Sequence, residues 1–391
     1  MSAWSLLALA IALAVALPCA ILAIECLAAC LPARRRAAFS APPPRTVVLV
    51  PAHDEELCLP DALRSILPEL SAADRLLVVA HNCSDRTADV ARAAGAEVLE
   101  VRDLGSGGKP DALRAGLAHL DRDPPEIVVI VDADCRVAPG AIPALAAAAR
   151  SHGGPVQGDY RFAPRGEGSV GSVSSLALLV KNVVRPLGLA RLGLPCLLNG
   201  AGSAYPFEQL RSAPHGQGSI AEDYQLSIDL ALRGHPTRFV PEARVESSLP
   251  VWRGAALRQR RRWEHGHLAL VFHTAPGLVL RGVLWRRLSL IALGLDLLVP
   301  PLAFLALACG VAALAALGDL ALTGQRTSAW IALLAGAFLV VAVLAGTARI
   351  AGLRTAVGTL VRAPLYVLWK LPLYLGFFRR RETRWRKTER T

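Results

Sequence analysis

The chain has 391 residues, of which 53% are hydrophobic, and it carries a formal net charge of +12 at pH 7. This length excludes a small disulfide-bonded secreted scaffold. The eight cysteines form no C-x-x-C pair or His/Cys cluster that would hold structural zinc, so we expect free thiols. The basic residues lie beside apolar segments and not along one face of a polar domain. The charge therefore indicates contact with membrane lipids and not with nucleic acid.

The first apolar segment, residues 4–31, is long enough to cross a hydrocarbon core of about 30 Å. No basic residue precedes it and no A-x-A site follows it, which favours an anchor over a cleaved signal peptide. Arg34, Arg35 and Arg36 follow directly, so the positive-inside rule predicts an anchor over residues 1–36 with the rest of the chain entering the cytoplasm. Glu25 lies near that end, where we expect it to reach the lipid headgroups, with a buried functional role as the weaker alternative.

Between a proline-rich linker at 41–45 and about residue 251, the chain has the hydropathy of one globular domain. Short apolar strands alternate there with helical patterns. The predicted strands are 46–50, 76–80, 98–101 and 127–131, and the predicted helices are 57–70, 84–94 and 111–120. This alternation predicts an α/β fold with a parallel sheet covered on both faces, and a ligand site at the carboxyl ends of its strands.

Acidic residues follow three of these strands, and the sharpest case is Asp132-Ala133-Asp134. Positions two apart on an extended chain point the same way, so both carboxylates can face one ion. Paired carboxylates select a hard divalent cation, Mg²⁺ or Mn²⁺, which neutralises a diphosphate. Ser84 and Asp85 follow another strand, where helix capping alone is a sufficient account of them.

Five segments carry polar residues in a fixed order: 50–56, 82–87, 107–109, 221–223 and 259–263, with Asp132 and Asp134 between the third and the fourth. In this order they resemble family 2 glycosyltransferases with the GT-A fold, a Rossmann-like α/β fold, over residues 46–267. The likeness is greatest to the membrane-embedded branch that includes cellulose, chitin and hyaluronan synthases. The segment 50–56, which contains Pro51, His53 and Glu55, resembles the first strand and nucleotide loop of that family. The segment 82–87 resembles its second loop, which implies that Asp85 contacts uracil or another nucleobase.

Three further segments resemble that family, and the last two match it in order and spacing. Gly107-Gly108-Lys109 resembles its Gly-Lys segment, and Lys109 is a cation suited to a diphosphate. Ala221-Glu222-Asp223 resembles the Glu-Asp motif, which implies that Asp223 is the catalytic base with Glu222 beside it. Gln259 to Trp263 fits Gln-x-x-Arg-Trp; Arg262 can clamp phosphate, and Trp263 offers a ring face to a sugar. By the same resemblance, Asp134 holds the metal ion, with Asp132 on the ribose or on the metal.

Two other segments keep alternative interpretations. The small residues of 196–204 suit close approach of the backbone to a ligand and resemble the family's acceptor-side loop, but a plain glycine turn explains them equally well. His265 and His267 flank Glu264 without a third metal-ligand pattern, so we expect a partly exposed, interfacial helix start.

The C-terminal third contains more apolar sequence. We expect an interfacial segment at 268–287, two transmembrane helices within 288–349, and a basic cytoplasmic tail at 379–391. The stretch 355–378 is interrupted by Arg362, Pro364, Lys370 and Pro372, which favours an interfacial helix over another transmembrane helix.

Together these features predict a multi-pass protein of the inner, cytoplasmic membrane whose catalytic domain faces the cytoplasm. It would move a sugar with inversion from a nucleoside diphosphate sugar, with UDP expected, to a glycan or lipid-linked acceptor in polysaccharide or glycolipid synthesis. A processive synthase subunit with polysaccharide-assembly partners, a sugar nucleotidyltransferase and an inactive membrane scaffold remain the alternatives.

Overall fold

The computed structural model describes residues 2–33, 42–103, 108–163, 169–214, 221–248 and 253–379. The predictions that rest on Arg34 to Arg36, on Gly107 and on residues 380–391 lie outside this part of the chain.

One sheet of eight strands carries the polar half of the described chain. The strands are β1 Thr46–Ala52, β2 Arg75–His81, β3 Glu97–Val101, β4 Ile127–Ile130, β5 Arg136–Val137, β6 Val156–Ala163, β7 Ser203–Pro206 and β8 Arg238–Ser248. Their order in the sheet is β3-β2-β1-β4-β7-β6-β8-β5.

Helices surround the sheet and form most of the remaining described residues. The first eight are α1 Ala3–Ala28, α2 Leu59–Ile66, α3 Thr87–Ala93, α4 Lys109–Leu120, α5 Ala141–His152, α6 Ser169–Leu179, α7 Arg185–Leu192 and α8 Phe207–Arg211. The others are α9 Glu222–Leu232, α10 Arg253–His273, α11 Ala275–Leu284, α12 Leu288–Leu298, α13 Leu302–Thr323, α14 Thr327–Ala351, α15 Leu353–Trp369 and α16 Leu371–Arg379. A π-helical turn, Val180–Val184, joins α6 to α7.

The predicted parallel sheet is correct for one half only. Strands β3, β2, β1 and β4 are parallel, and the three predicted helices between them are present with ends shifted by a few residues. Strand β7 is antiparallel to both β4 and β6, so the sheet as a whole is mixed. The reason is topological: after the helices α6 and α7, the chain begins β7 beside the carboxyl end of β4 and runs back along it.

Apolar side chains cover both faces of the sheet. Alternate residues of β1 point to opposite sides, so Val48 and Val50 pack with residues of α2 and α5, whereas Val47 and Leu49 pack with residues of α4 and α9. Gly116 lets α4 approach the sheet closely, because a Cβ atom there would lie 2.8 Å from Leu49 Cδ1. The layers predicted to cover the sheet are confirmed.

Within the described residues, four helical stretches are long and apolar enough to cross a membrane: Ala3–Ala28, Val173–Leu192, Leu302–Thr323 and Thr327–Ala351. A bent pair, Gln259–His273 with Ala275–Leu284, would make a fifth. Helices α1, α13 and α14 pack together, yet they leave large apolar side chains such as Leu13, Leu314 and Leu333 exposed. Such faces suit hydrocarbon surroundings.

A buried carboxylate ties one end of these three helices together. Asp319 of α13 accepts hydrogen bonds from Ser5 of α1 at 2.6 Å and from Ser328 of α14 at 2.8 Å. The start of α1, the end of α13 and the start of α14 therefore lie at the same end of the bundle. Helices α13 and α14 are thus antiparallel, and α13 begins only after a break at Pro300-Pro301 and continues to Thr323. That the pair crosses a membrane outward and back stays a prediction.

The stretch Val173–Leu192 was not predicted as a membrane helix, and the sheet limits what it can do. Strand β6 precedes it, strand β7 follows it, and Val156 of β6 pairs with Ala204 of β7. Because neighbouring strands of one sheet lie on one side of a membrane, this helical stretch cannot carry the chain across in a single pass.

The expected position of Glu25 is wrong. Its side chain does not reach outward but is buried, and its Oε2 atom lies 2.6 Å from Nε of Arg185. The same guanidinium contacts Asp296 Oδ1 at 2.5 Å. This ion-paired triad of Glu25, Arg185 and Asp296 joins α1, α7 and α12, and no sequence pattern indicated that these three residues would meet.

Candidate active site

A cleft of about 260 Å³ opens where the carboxyl ends of β1, β2 and β4 meet α9 and α10. It brings together nearly all the predicted site residues from widely separated parts of the chain. Those on its wall are Pro51, His53, Glu55, Lys109, Asp132, Asp134, Glu222, Asp223, Gln259, Arg262 and Trp263.

The paired aspartates follow β4 as expected. Potential ligand atoms of Asp132, Asp134 and Cys135 all lie within 4.8 Å of one another. Ser247, at the end of β8, donates a hydrogen bond of 2.7 Å to Asp134 Oδ2 and thereby orients that carboxylate. Asp132 Oδ1 is shielded from solvent and makes an ion pair with Lys109. Two oxygen donors with spare acceptor capacity fit a hard divalent cation.

Lys109, the first residue of α4, connects the two acidic groups of the cleft. Its Nζ atom lies 2.7 Å from Asp132 Oδ1 and 3.9 Å from Asp223 Oδ1. Burial alone would lower the pKa of this ammonium, but the carboxylates of Asp132 and Asp223 outweigh it and raise the pKa above the usual value. Lys109 is therefore a permanently charged donor beside the predicted diphosphate position.

Glu222 and Asp223 form the first turn of α9, where the helix dipole favours acidic side chains. Burial, together with the neighbouring charge of Asp223, raises the pKa of Glu222 to about 7. The two adjacent carboxyl groups thus differ in environment, and Asp223 is the one that lies near Lys109.

The small-residue loop predicted at 196–204 passes directly beside Asp223. Gly200 has φ +111°, and a Cβ atom added there would lie 3.3 Å from Asp223 Oδ2. The buried Gln157 holds this loop, because its Oε1 accepts from Asn199 N at 2.8 Å and its Nε2 donates to Ala201 O at 3.1 Å. This close approach accounts for the glycine better than a plain turn does.

Asp85 is not among the residues that line the cleft. Its Oδ2 accepts from the backbone N–H of Glu56 at 3.0 Å, and its Oδ1 accepts from that of Thr87 at 3.0 Å. Burial opposes ionisation, but these hydrogen bonds outweigh it and lower the pKa of Asp85. It thereby joins the first loop to the start of α3, and contact with a nucleobase stays a prediction.

The Gln-x-x-Arg-Trp residues lie on α10, across the cleft from the sheet. Trp263 meets Phe162 of β6 with ring centroids 5.6 Å apart, and Phe162 meets Tyr160 at 4.8 Å. Sequence reasoning missed this aromatic wall. The signal was available, because Tyr160 and Phe162 stand two apart on a strand and share one face.

The expected exposed helix start at His265 and His267 is wrong. Both side chains are buried in the middle of α10, and His265 Nε2 lies 3.0 Å from Leu373 O of α16. His267 packs edge-on against Tyr224 at 5.3 Å. The helix begins well before this point and is covered by α16, which the sequence did not indicate.

The sequence pattern of the family described as glycosyltransferase-like family 2 matches residues 43–266 of the chain. The protein belongs to this family. The matched residues include every strand of the sheet and the cleft residues of α9 and α10 except His267, so nearly all of the candidate active site of this family 2 glycosyltransferase lies inside the matched segment. No curated protein matches its sequence.

The chain is similar to two solved structures, and the first of them has the same fold. A mannosyltransferase from Pyrobaculum calidifontis, solved with GDP-mannose and Mn²⁺, is 21% identical, and the match covers 93% of this chain and 99% of that one with a TM-score of 0.53. Glucosyl-3-phosphoglycerate synthase from Mycobacterium tuberculosis, solved with Mn²⁺, UDP and glucosyl-3-phosphoglycerate, is 24% identical over 59% of this chain and 85% of that one, with a TM-score of 0.40. The mixed α/β fold of this glycosyltransferase is GT-A.

Proposed function

We propose that the protein is an inverting glycosyltransferase that moves a sugar from a nucleoside diphosphate sugar to a membrane-proximal or lipid-linked acceptor. The single observation that carries this proposal is the position of Lys109, which lies between Asp132 and Asp223. One cation thereby links the side of the cleft that would hold the diphosphate to the carboxylate that would act as base.

Asp134 and Asp132 would hold a divalent cation, Mg²⁺ or Mn²⁺, which when bound neutralises charge on the departing diphosphate. Lys109 and Arg262 would bind diphosphate oxygens from two sides of the cleft. His53 and Glu55, on the loop after β1, would contact the nucleoside. UDP-sugars are the first donors to test, and GDP-mannose is the second because the structurally similar mannosyltransferase was solved with it.

Asp223 would take the proton of an acceptor hydroxyl. The hydroxyl oxygen then bonds to the anomeric carbon from the face opposite to the leaving group, the bond from that carbon to the diphosphate oxygen breaks, and the electron pair leaves with the diphosphate. General-base assistance of this kind is worth roughly 10²- to 10⁴-fold. The acceptor would approach beside Gly200, where the backbone leaves room against Asp223.

The test uses Asp223→Asn in the purified full chain, with Asp229→Asn on the same helix as the matched control, because Asp229 does not line the cleft. We expect Asp223→Asn to lose about 10²-fold or more of transfer rate while it still binds the donor. Mass spectrometry of glycolipids identifies the product, and nucleoside diphosphate is measured as the released group. Wild-type turnover by Asp223→Asn would refute the assignment of the base, and release of pyrophosphate would refute glycosyl transfer.

The membrane position is also part of this proposal. Helices α1, α13 and α14 would cross the inner membrane and hold the catalytic domain on its cytoplasmic side, with α15 and α16 along that surface. The exposed apolar faces of the three-helix bundle support it. Protease digestion of sealed, oriented vesicles tests the orientation: a catalytic domain cut only from the periplasmic side would overturn it.

A further inference from the structure

A second cavity of about 70 Å³ adjoins the active-site cleft on the side of the apolar helices. Leu178, Lys181, Trp263 and His267 line both the cleft and this cavity, so the two spaces meet along a common wall. The second cavity lies at the first turn of α13, which is the point where the apolar bundle begins. We call it the side cavity.

The walls of the side cavity are apolar where they face the bundle. Ala177 and Val180 come from the stretch that leads through the π-helical turn, and Leu302 and Ala303 come from the start of α13. On the far side, Ser174 and Tyr366 share a hydrogen bond of 2.7 Å that ties α6 to α15. A ligand with an apolar portion would therefore be covered by helices and not by the polar domain.

The charges of the side cavity are predominantly positive. Lys370 is ion-paired with Glu264, and Arg185 is ion-paired with Glu25 and Asp296, so these two cations are already neutralised. Lys181 and Arg260 differ, because neither has a carboxylate partner among the residues that the structure describes. The described contact of Lys181 is with the ring of Tyr224, 4.9 Å from its centroid.

Two cations without acidic partners, placed between an apolar wall and a catalytic cleft, suit a phosphate group with an attached hydrocarbon chain. Lysine binds phosphate as a point charge, and arginine can bind two of its oxygens at once. Lys181 reaches the cleft as well as the side cavity, which places the anion at their junction.

We propose that the side cavity binds the phosphate of a lipid acceptor, with Lys181 and Arg260 as its ligands. The headgroup beyond that phosphate carries the hydroxyl that points to Asp223, and the hydrocarbon chain leaves between α6 and α13. This inference rests on the proposed glycosyl transfer for the role of the lipid, but the binding site itself does not.

The experiment measures lipid binding by native mass spectrometry of the full chain in detergent, without any sugar donor. The probes are dioleoyl phosphatidic acid, dioleoylglycerol, which has the same chains without phosphate, and inorganic phosphate. We expect one molecule of phosphatidic acid to bind, and the other two probes to bind at least about tenfold more weakly. Dioleoylglycerol lacks the charge-assisted contact of the phosphate, and inorganic phosphate lacks the hydrocarbon chains that the apolar wall would cover.

Lys181→Met and Arg260→Gln should each weaken binding of phosphatidic acid by about tenfold or more, whereas Lys181→Arg should keep it. The matched control is Arg362→Gln, an exposed cation on α15 that does not line the cavity and should bind as the wild type does. Rescue by Lys181→Arg separates loss of charge from loss of folding.

Three results would overturn the inference: equal binding of dioleoylglycerol and phosphatidic acid, equal binding of inorganic phosphate and phosphatidic acid, or undiminished binding by Lys181→Met. Because no donor is present, a protein that binds phosphatidic acid but transfers no sugar would refute the proposed function and leave the binding site standing. The reverse outcome would refute the binding site alone.

Discussion

Replacement of Arg185 by methionine should be among the most destabilising single changes in the chain. Its guanidinium is 6% exposed and serves two carboxylates, Glu25 at 2.6 Å and Asp296 at 2.5 Å, which are themselves 3% and 8% exposed. It also donates to Asp296 O at 2.5 Å. Methionine fills similar space but leaves two buried acidic groups without a counter-charge.

The expected cost follows from that arrangement. Removal of one partner from a buried ion pair costs about 3–5 kcal/mol, and here one residue serves two partners, so the upper part of that range applies. At roughly 2–4 °C for each kcal/mol, the midpoint of heat inactivation should fall by about 10 °C or more. The assay is the fraction of monodisperse protein that remains after heating in detergent, measured by size-exclusion chromatography.

The reasoning is checked by neutralising the whole triad. The variant that combines Glu25→Gln, Arg185→Met and Asp296→Asn removes every charge at once, and it should recover most of the loss because no buried charge is left unpaired. A single Arg185→Met variant as stable as the wild type, or a triple variant as unstable as the single one, would refute the account.

Three more changes have defined outcomes. Gly188→Ala should destabilise the protein by about 1–3 kcal/mol or more, because the added Cβ would lie 1.8 Å from the backbone oxygen of Glu25. The control is Gly358→Ala, which has open space around it and should be neutral or stabilising. Heat inactivation measures both effects. Glu222→Gln should change the pH dependence of stability. Because the pKa of Glu222 is about 7 in the folded protein and has an ordinary value of 4.5, the wild type loses stability as pH rises between these values. When both proteins are heated without donor at pH 5 and at pH 8, the glutamine variant should lose less stability between the two pH values than the wild type does. A wild-type pH profile in that variant would contradict the raised pKa. Chelation of divalent metal should abolish donor hydrolysis. Added Mn²⁺ or Mg²⁺ should restore hydrolysis in the wild type but not in Asp134→Asn. Hydrolysis that survives chelation would show that Asp134 has no metal-binding role in it.

The sequence predicted the polar half of the fold well because its signals are local. The runs that form β1, β2 and β4 are apolar and end at polar residues, and Asp132 and Asp134 follow from the period of a strand. The prediction that Asp132 and Asp223 lie in one site came from the family resemblance, since no local pattern places α9 across the cleft from β4. The mixed half of the sheet was missed for the same reason, because pairing of β7 with β4 is a long-range contact.

The errors concern residues whose environment is made by distant helices. From sequence alone, Glu25 has the features of a residue near the end of a membrane helix. Its ion-pair partner Arg185 is distant in the sequence, so no local pattern indicates that Glu25 is buried. His265 and His267 resemble an exposed start until α16 covers them. Lys181 gave no signal at all, because one lysine in an apolar helix is explained equally well by snorkelling to a surface.

The pairing of β6 with β7 has a practical consequence for topology mapping. Ala163, the last residue of β6, and Gly193 flank the helical stretch between those strands, and hydropathy alone would assign them to opposite sides of the bilayer. Because Val156 and Ala204 are neighbours in one sheet, cysteine labels introduced into the two flanks must react with the same impermeant reagent from the same compartment. Counting apolar stretches would therefore assign the wrong side to everything that follows residue 192.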